Sequence, residues 1–249
     1  MGKRDYVNEI LSKKQRTLPT SRRWSLVSKR LSDIAVVSNI AHFIECLDEL
    51  HGIETLEGFD QIEVDYIAIM NSFGISAELI RYIPIGLVAC IEGYFRKVYA
   101  DLIDHGSPYR ENASKFDIKF SIDTAISLET NSVSIGDFVA HFLTTNNLED
   151  INKNITTLIG SDFLGKFKII RSQAIGQQYL FPVDDDELVG NMVKSIKRLF
   201  EVRHMFCHEV DPRVSLEDMR AIIGYPDKTI EFLWISEFAI NSLLSDNSP

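Results

Sequence analysis

The amino-acid sequence predicts an all-α protein on the strength of three observations. Long segments place apolar residues three to four positions apart, which is the period of one helix face. Helix-capping and helix-stopping residues such as Ser, Asp, Gly and Pro flank several of these segments. Strict alternation of apolar and polar residues, typical of a half-buried strand, is confined to the short stretch 116–122. The sequence therefore favours an antiparallel helical bundle.

Chain length, cysteine content and the absence of long apolar segments favour a globular protein with free thiols. A chain of 249 residues is long enough for one large domain or two small ones with a substantial core. Its three cysteines, Cys46, Cys90 and Cys207, lie far apart in apolar helical contexts, which favours packed free thiols over disulfides or a zinc site. The first residues carry no apolar run, and no segment reaches membrane-spanning length. We expect a cytoplasmic protein without a membrane segment.

Charge is distributed unevenly along the chain. Residues 1–30 hold nine basic and two acidic residues, a net charge of +7, whereas the remainder holds 17 basic and 34 acidic residues, a net charge of −17. A basic segment of this kind can neutralise the phosphates of a polyanion, although such segments are also commonly mobile and merely solvated. The candidates for phosphate contacts in this nucleic-acid arm are Lys13, Lys14, Arg16, Arg22 and Arg23.

The first half of the chain begins with this loosely ordered arm over 1–30. Ser32 and Asp33 then cap a helix predicted to reach about Leu50, and the apolar run 62–70 fits either a helix or a strand. Residues 76–104 are strongly helical, with Pro84 expected to separate a short piece from a long helix that ends at His105 and Gly106. One face of the long helix carries the predicted core residues Leu87, Val88, Ile91, Phe95, Val98, Tyr99 and Leu102.

The second half continues with the alternating stretch 116–122, which predicts an exposed strand or an extended loop. Shorter helices are predicted at about 135–144, 148–159 and 163–177. Residues 184–187 are acidic and lie at the start of the next predicted helix, where the helix dipole favours negative charge. This explains the acidic run better than a metal site does. That helix should extend from Asp185 to about Val210, before Pro212, and a final pair of helices should occupy about 216–223 and 229–244.

The helix over 185–210 contains the residue that most needs an explanation. At about 100° per residue its apolar side chains form one broad sector, and Arg203 lies near the middle of that sector. His204 lies at the margin, and His208 lies just beyond it on the same side. An arginine directed toward a core requires a carboxylate, a phosphate or another subunit to receive it.

Three interpretations of this group remain open on the residues alone. Arg203 could form a buried ion pair, with Glu92 the best partner because it also interrupts an apolar stripe. His204 and His208, four residues apart, could share a zinc ion, although no third ligand is evident and Met205 replaces the usual glutamate. Alternatively, Arg203 and His208 could line a crevice that receives a phosphodiester.

The segment Arg203-His204-x3-His208 resembles the Arg-polar-x3-His motif of the HEPN superfamily, the higher eukaryotes and prokaryotes nucleotide-binding domains. The upstream segment 85–96, with Glu92 directed inward, is similar to an early core helix of such domains. The resemblance covers about 76–245. The helical pattern predicts one all-α domain over 31–249, and within it the resemblance implies a HEPN-like core at about 76–104 and 183–245, with a helical insertion at about 105–182.

The resemblance further implies a metal-independent endoribonuclease without a cofactor, acting as a homodimer on single-stranded RNA. Many family members are toxins or antiviral defence effectors, so an antitoxin or other regulatory protein partner is expected. Arg203 and His208 would be catalytic, and His204 and Glu92 would support them or contact RNA. The products would be a 2′,3′-cyclic phosphate and a 5′-hydroxyl. The alternative is a non-catalytic nucleotide-binding, RNA-binding or dimerisation scaffold in which Arg203 pairs with Glu92.

Overall fold

The computed structural model describes residues 10, 23–25, 27–36, 77–167, 169, 185–208 and 216–246. Within these ranges every regular element is a helix, and this confirms the all-α prediction. The helices are α1 (27–36), α2 (Ala77–His105), α3 (Tyr109–Ala113), α4 (Ile122–Thr130), α5 (Ile135–Phe142), α6 (Leu148–Ile159), α7 (Asp185–His208) and α8 (Leu216–Asp246). Short 3-10 turns occupy Ser114–Phe116 and Leu164–Lys166. None of the described helices is long and apolar enough to cross a membrane.

Contacts between residues divide the chain into two compact units, which we describe separately. Unit one comprises Met1–Val27, Ile91–Asn191 and Leu233–Pro249. Unit two comprises Ser28–Cys90 and Met192–Phe232. The predicted insertion at about 105–182 thus belongs to unit one, together with the second half of α2 and the end of α8.

The core of unit one is built on the apolar stripe of α2. Ile91, Phe95, Val98, Tyr99 and Leu102 are fully buried, as the helical spacing predicts. The ring of Phe95 meets that of Phe163 edge-to-face at 6.1 Å, and Phe163 meets Phe167 in the same way at 4.9 Å. These aromatic contacts fix the segment that follows α6 against α2, because edge-to-face pairs add a geometric preference to apolar burial.

Short helices in unit one begin at polar caps. Ser121, Ser134 and Asn147 each accept a hydrogen bond from the backbone amide three residues later, at 3.3, 3.0 and 2.7 Å. Such caps satisfy amides that the first helical turn leaves without an intrahelical partner. The predicted helices at 135 and 148 therefore begin at the expected residues.

Close backbone packing joins α5 to α2 within unit one. The amide of Gly136 donates a 2.8 Å hydrogen bond to the Asp104 carboxylate. A Cβ atom at position 136 would lie 2.7 Å from the Asp104 carboxyl carbon and would also collide with the carbonyl oxygen of Ala100. Glycine is therefore required here for space, because any side chain would push the two helices apart.

Unit two has its core on the apolar face of α7. Met192, Ile196 and Leu199 are fully buried, in agreement with the wheel. Unit two also contains a glycine at a close helix contact, Gly86 of α2. A Cβ atom at this position would lie 2.8 Å from Cδ1 of Ile34 in α1. The missing side chain at Gly86 allows α1 to lie directly against α2.

The break predicted at Pro84 and the division predicted between 223 and 229 were both wrong. Helix α2 runs without interruption through Pro84, and α8 runs as one helix through Pro226, so the predicted breaks are absent. An internal proline removes one backbone hydrogen bond and costs about 3 kcal/mol. Both prolines are buried in unit two, beside buried Ile83 and Tyr225, so burial of the apolar stripe on both sides of each proline offsets this cost.

The remaining differences concern element boundaries. Residues 117–121 form a loop without regular structure, in which Asp117 has a left-handed backbone conformation, and Ile122 begins helix α4, which the sequence did not indicate. Residues 23–25 and 27–36 are helical, so helix structure begins within the predicted arm and before Ser32. The predictions for 37–50, 62–70, most of 163–177 and the region around Val210 fall outside the described residues.

Candidate functional site

The last turns of α7 bring two of the predicted site residues together. His204 and His208 lie on the same side of the helix, with ring centroids 4.4 Å apart and ring planes at 51°. Both side chains are exposed. Residues four positions apart in an α-helix are neighbours on its surface, which explains the pairing. Two imidazoles are thus available to solvent at one point of unit two.

The same face of α7 carries a row of basic residues leading to this pair. Lys194, Lys197 and Arg198 are exposed, and with Glu201, His204 and His208 they fall within a sector of about 120° on the wheel. Arg198 and Glu201 form an exposed ion pair of 2.9 Å. The sequence analysis did not identify Lys194, Lys197 and Arg198 as site residues, because it considered only the apolar sector of the helix and not the opposite, polar face.

Arg203 has a different environment from the histidines. It is half-buried and lies at the end of the row formed by the buried residues Met192, Ile196 and Leu199. On an α-helix its side chain leaves the axis about 100° from His204 and about 140° from His208. Within one α7 helix, therefore, Arg203 and His208 point away from each other. Glu92, the predicted supporting acid, is also half-buried.

Cys207 differs from its predicted packed state. Its side chain is exposed and it is a free thiol, whereas Cys90 is buried as expected. The wheel places position 207 inside the apolar sector, at the same angle as buried Val189, so the exposure of Cys207 means that packing against α7 does not extend this far along the helix. Among the described residues, no group of three or more His, Cys, Asp or Glu side chains is arranged to hold a metal ion.

Of the five candidate phosphate-contact residues in the arm, only Arg23 lies among the described residues, and its environment does not suit phosphate binding. Its side chain is 6% exposed. Nη1 donates to Asp101 at 2.9 Å, Nε donates to Glu237 at 3.0 Å, and Nη2 donates to Asn241 at 2.6 Å. We therefore remove Arg23 from the predicted phosphate contacts. Lys13, Lys14, Arg16 and Arg22 lie outside the described residues.

The Arg23 network continues through further polar groups of unit one. The hydroxyl of Tyr94 donates to Glu237 at 2.8 Å, and Lys97 pairs with Asp101 at 2.8 Å. Burial opposes the charge of Arg23, but the hydrogen bond to Asp101 and the charge of Glu237 outweigh it, so the net effect raises the pKa of the guanidinium. Burial and the neighbouring Glu237 together raise the pKa of Tyr94 well above its usual value. The network ties residue 23 to α2 and α8, and its mutual hydrogen bonds indicate a structural role.

Comparison with known proteins identified no relative of this chain. No family model, no curated protein and no solved structure matches the chain. The resemblance to the HEPN superfamily therefore rests on the residues Arg203, His204 and His208 and on their position at the end of a long helix.

Proposed function

We propose that the chain is a metal-independent endoribonuclease of the HEPN type, with its active site at the end of α7. The observation that supports this proposal is the exposed His204–His208 pair, whose ring centroids lie 4.4 Å apart. Half-buried Arg203 directly precedes this pair and completes the motif. Imidazole is the side chain best suited to exchange protons near neutral pH, and arginine provides a permanent positive charge with several donors.

The reaction follows from these groups. A base removes the proton of the ribose 2′-hydroxyl, and the 2′-oxygen attacks the adjacent phosphorus. The bond from phosphorus to the 5′-oxygen breaks, and an acid gives that oxygen a proton. The products are a 2′,3′-cyclic phosphate and a 5′-hydroxyl. Arg203 stabilises the negative oxygens of the transition state, and His208 acts as base or acid.

Two copies of the chain complete the site in this proposal. Arg203 and His208 diverge by about 140° on one α7 helix, so a single copy does not direct both side chains at one phosphate. A two-fold axis beside the end of α7 would bring Arg203 of one copy to His208 of the other. It would also provide one imidazole as base and a second as acid, with His204 orienting the pair or contacting RNA.

Binding of RNA to an acidic chain requires a local positive surface. The exposed basic row on α7, formed by Lys194, Lys197 and Arg198, supplies one on the same face as the histidines. From Lys194 to His204 the helix rises about 15 Å, so a single strand lying along this face would pass the basic residues before reaching the imidazoles. Cations placed in this way favour phosphate contacts independent of sequence.

A cleavage assay tests the proposal. Wild type, Arg203→Ala and His208→Ala are incubated with single-stranded RNA in the presence of a chelator, after circular dichroism and light scattering have established fold and oligomeric state. We expect chelator-resistant cleavage by wild type and a loss of at least about a hundredfold in each variant. His105→Ala, an exposed histidine of unit one, serves as the matched control and should cleave normally.

Mixing two inactive variants tests the composite site. Arg203→Ala and His208→Ala chains, combined and allowed to exchange, would form heterodimers that retain one intact Arg203 and one intact His208. We expect only part of the wild-type activity to return on mixing, because each mixed dimer holds one complete Arg203–His208 pair but lacks the second His208. Failure to recover activity, with exchange shown by a tagged copy, would contradict a site shared between two chains.

The half-burial of Arg203 also favours a second candidate function. It lies in line with the buried residues of α7, where an arginine in a structural ion pair would also lie, and Glu92 is the residue that the sequence proposes as partner. A scaffold of this kind would bind RNA, nucleotides or a second copy without cleavage. In that case Arg203→Ala would reduce stability or dimerisation, whereas His208→Ala would change neither.

A further inference from the structure

The His204–His208 pair has the sequence spacing and the close ring placement by which one helix can offer two ligands to a metal ion, apart from any catalytic role. Both histidines are exposed on a regular helix, four residues apart, with ring centroids separated by 4.4 Å. Neutral imidazole nitrogens are preferred ligands of zinc, nickel and copper. Histidines at positions i and i+4 are the spacing by which a single helix contributes two ligands to one metal ion.

The surroundings of the pair determine which cations suit it. Lys194, Lys197 and Arg198 on the same face repel any cation, and Glu201 already pairs with Arg198 at 2.9 Å. Electrostatic attraction therefore contributes little, and affinity must come from coordination bonds to nitrogen. Magnesium and calcium prefer oxygen ligands, so they are poor candidates. Divalent ions that bind imidazole strongly, such as Ni²⁺, Cu²⁺ and Zn²⁺, are favoured.

We propose that His204 and His208 together bind one divalent transition-metal ion per chain through their two imidazoles, with its other positions open to water. No third donor completes a cluster with them among the described residues. The ion is an inhibitor in this proposal and not a cofactor, because coordination uses the nitrogen lone pairs that proton transfer requires. The inhibitory consequence rests on the proposed ribonuclease function, whereas metal binding itself does not.

Calorimetric titration of the full chain with NiCl₂ tests the binding site in the absence of RNA. Excess magnesium is included to suppress weak binding to carboxylates. Wild type is compared with His204→Ala and His208→Ala, and with His105→Ala as an exposed single-histidine control. Because both site histidines are exposed, their replacement should leave the circular dichroism spectrum unchanged.

We expect one nickel ion per wild-type chain and an affinity loss of about tenfold or more, about 1.4 kcal/mol, in each site variant, because each variant keeps only one of the two imidazole ligands. His105→Ala and Cys207→Ser should bind as wild type does. Equal nickel affinity in wild type and both site variants would overturn the proposal, and a comparable loss in Cys207→Ser would overturn the assignment of two imidazole ligands.

Ribonuclease activity is measured separately in the same preparations. If the chain cleaves RNA, saturation with nickel should abolish cleavage and a chelator should restore it. If the chain cleaves no RNA, the proposed function fails while the titration still decides the metal site. If nickel binds at the pair and cleavage continues unchanged, the inhibitory role is wrong.

Discussion

Arg23 donates a 2.9 Å hydrogen bond to Asp101, a residue 78 positions further along the chain. The same guanidinium reaches Glu237 and Asn241, so one buried side chain connects three distant segments of unit one. A buried arginine is tolerated only where carboxylates and other acceptors satisfy it. The carboxylate partners that we predicted for an inward-pointing arginine at position 203 are thus present around Arg23, a residue that no sequence pattern singled out as buried.

Replacing Arg23 by methionine should destabilise unit one strongly. The variant leaves partly buried Glu237 without the Arg23 cation and leaves Asp101 with Lys97 alone, and breaking a buried pair in this way costs about 3–5 kcal/mol. Urea unfolding followed by circular dichroism measures the change. Lys119→Met is the matched control, since its pair with Asp117 is 3.6 Å long and exposed, and its loss should be worth less than about 1 kcal/mol. Equal effects of the two substitutions would contradict the structural role of Arg23.

Two glycines of unit one should respond oppositely to alanine. Gly136→Ala places a methyl group against Asp104 and Ala100, and we expect a loss of about 1–3 kcal/mol from overpacking. Gly93→Ala fills open space on the exposed face of α2, where a gain of about 0.5–1 kcal/mol is expected from helix propensity. Thermal unfolding of both variants checks the pair. A neutral Gly136→Ala would show that α5 does not lie as close to α2 as described.

Cys90 should make stability fall at alkaline pH. Burial raises the pKa of its thiol from 9.0 to about 11, with nearby Arg30 opposing the shift. Because the folded-state pKa is raised, the contribution is fully present below pH 9 and is lost as the pH rises toward 11. The unfolding free energy of Cys90→Val should therefore decline less steeply than that of wild type over this window. Denaturant titrations at several pH values measure this difference. If the unfolding free energies of wild type and Cys90→Val fall equally between pH 9 and 11, the prediction is wrong.

The basic arm should contribute to RNA binding through Lys13, Lys14 and Arg16, but not through Arg23. Replacing the first three by serine removes up to three phosphate contacts, which should reduce the slope of log affinity against log salt by about 2 for single-stranded RNA. The control variant replaces the exposed residues Lys115, Lys119 and Lys153, and so removes the same charge elsewhere. Identical salt slopes in the two variants would exclude a specific role for the arm.

Several elements could be predicted because they depend on local pattern alone. The buried stripe of α2 and the bounds of α6 follow from apolar period and capping residues. The continuous course through Pro84 and Pro226 could not be predicted, because it depends on apolar burial that offsets the lost hydrogen bond. The Arg23 network was equally inaccessible, since it joins residues more than 70 positions apart.

In the candidate site too, some features follow from local sequence pattern and others depend on long-range packing. The i and i+4 spacing fixes the pairing of His204 with His208, and the wheel correctly directs Arg203 to the side of the core residues. Exposure of Cys207 depends on where packing against α7 ends, which a wheel does not contain. The partner that Arg203 meets during catalysis lies, in our proposal, in RNA and a second copy, and a single sequence describes neither.

The central claim is that the end of α7 cleaves RNA by means of the ribose 2′-hydroxyl. The most direct measurement uses a DNA oligonucleotide containing a single ribonucleotide, incubated with the chain and a chelator, with the products analysed by mass spectrometry. We predict one cut, immediately 3′ of the ribonucleotide, leaving a 2′,3′-cyclic phosphate and a 5′-hydroxyl, and no cut with folded His208→Ala. An intact oligonucleotide, or cleavage that His208→Ala retains, would contradict the claim.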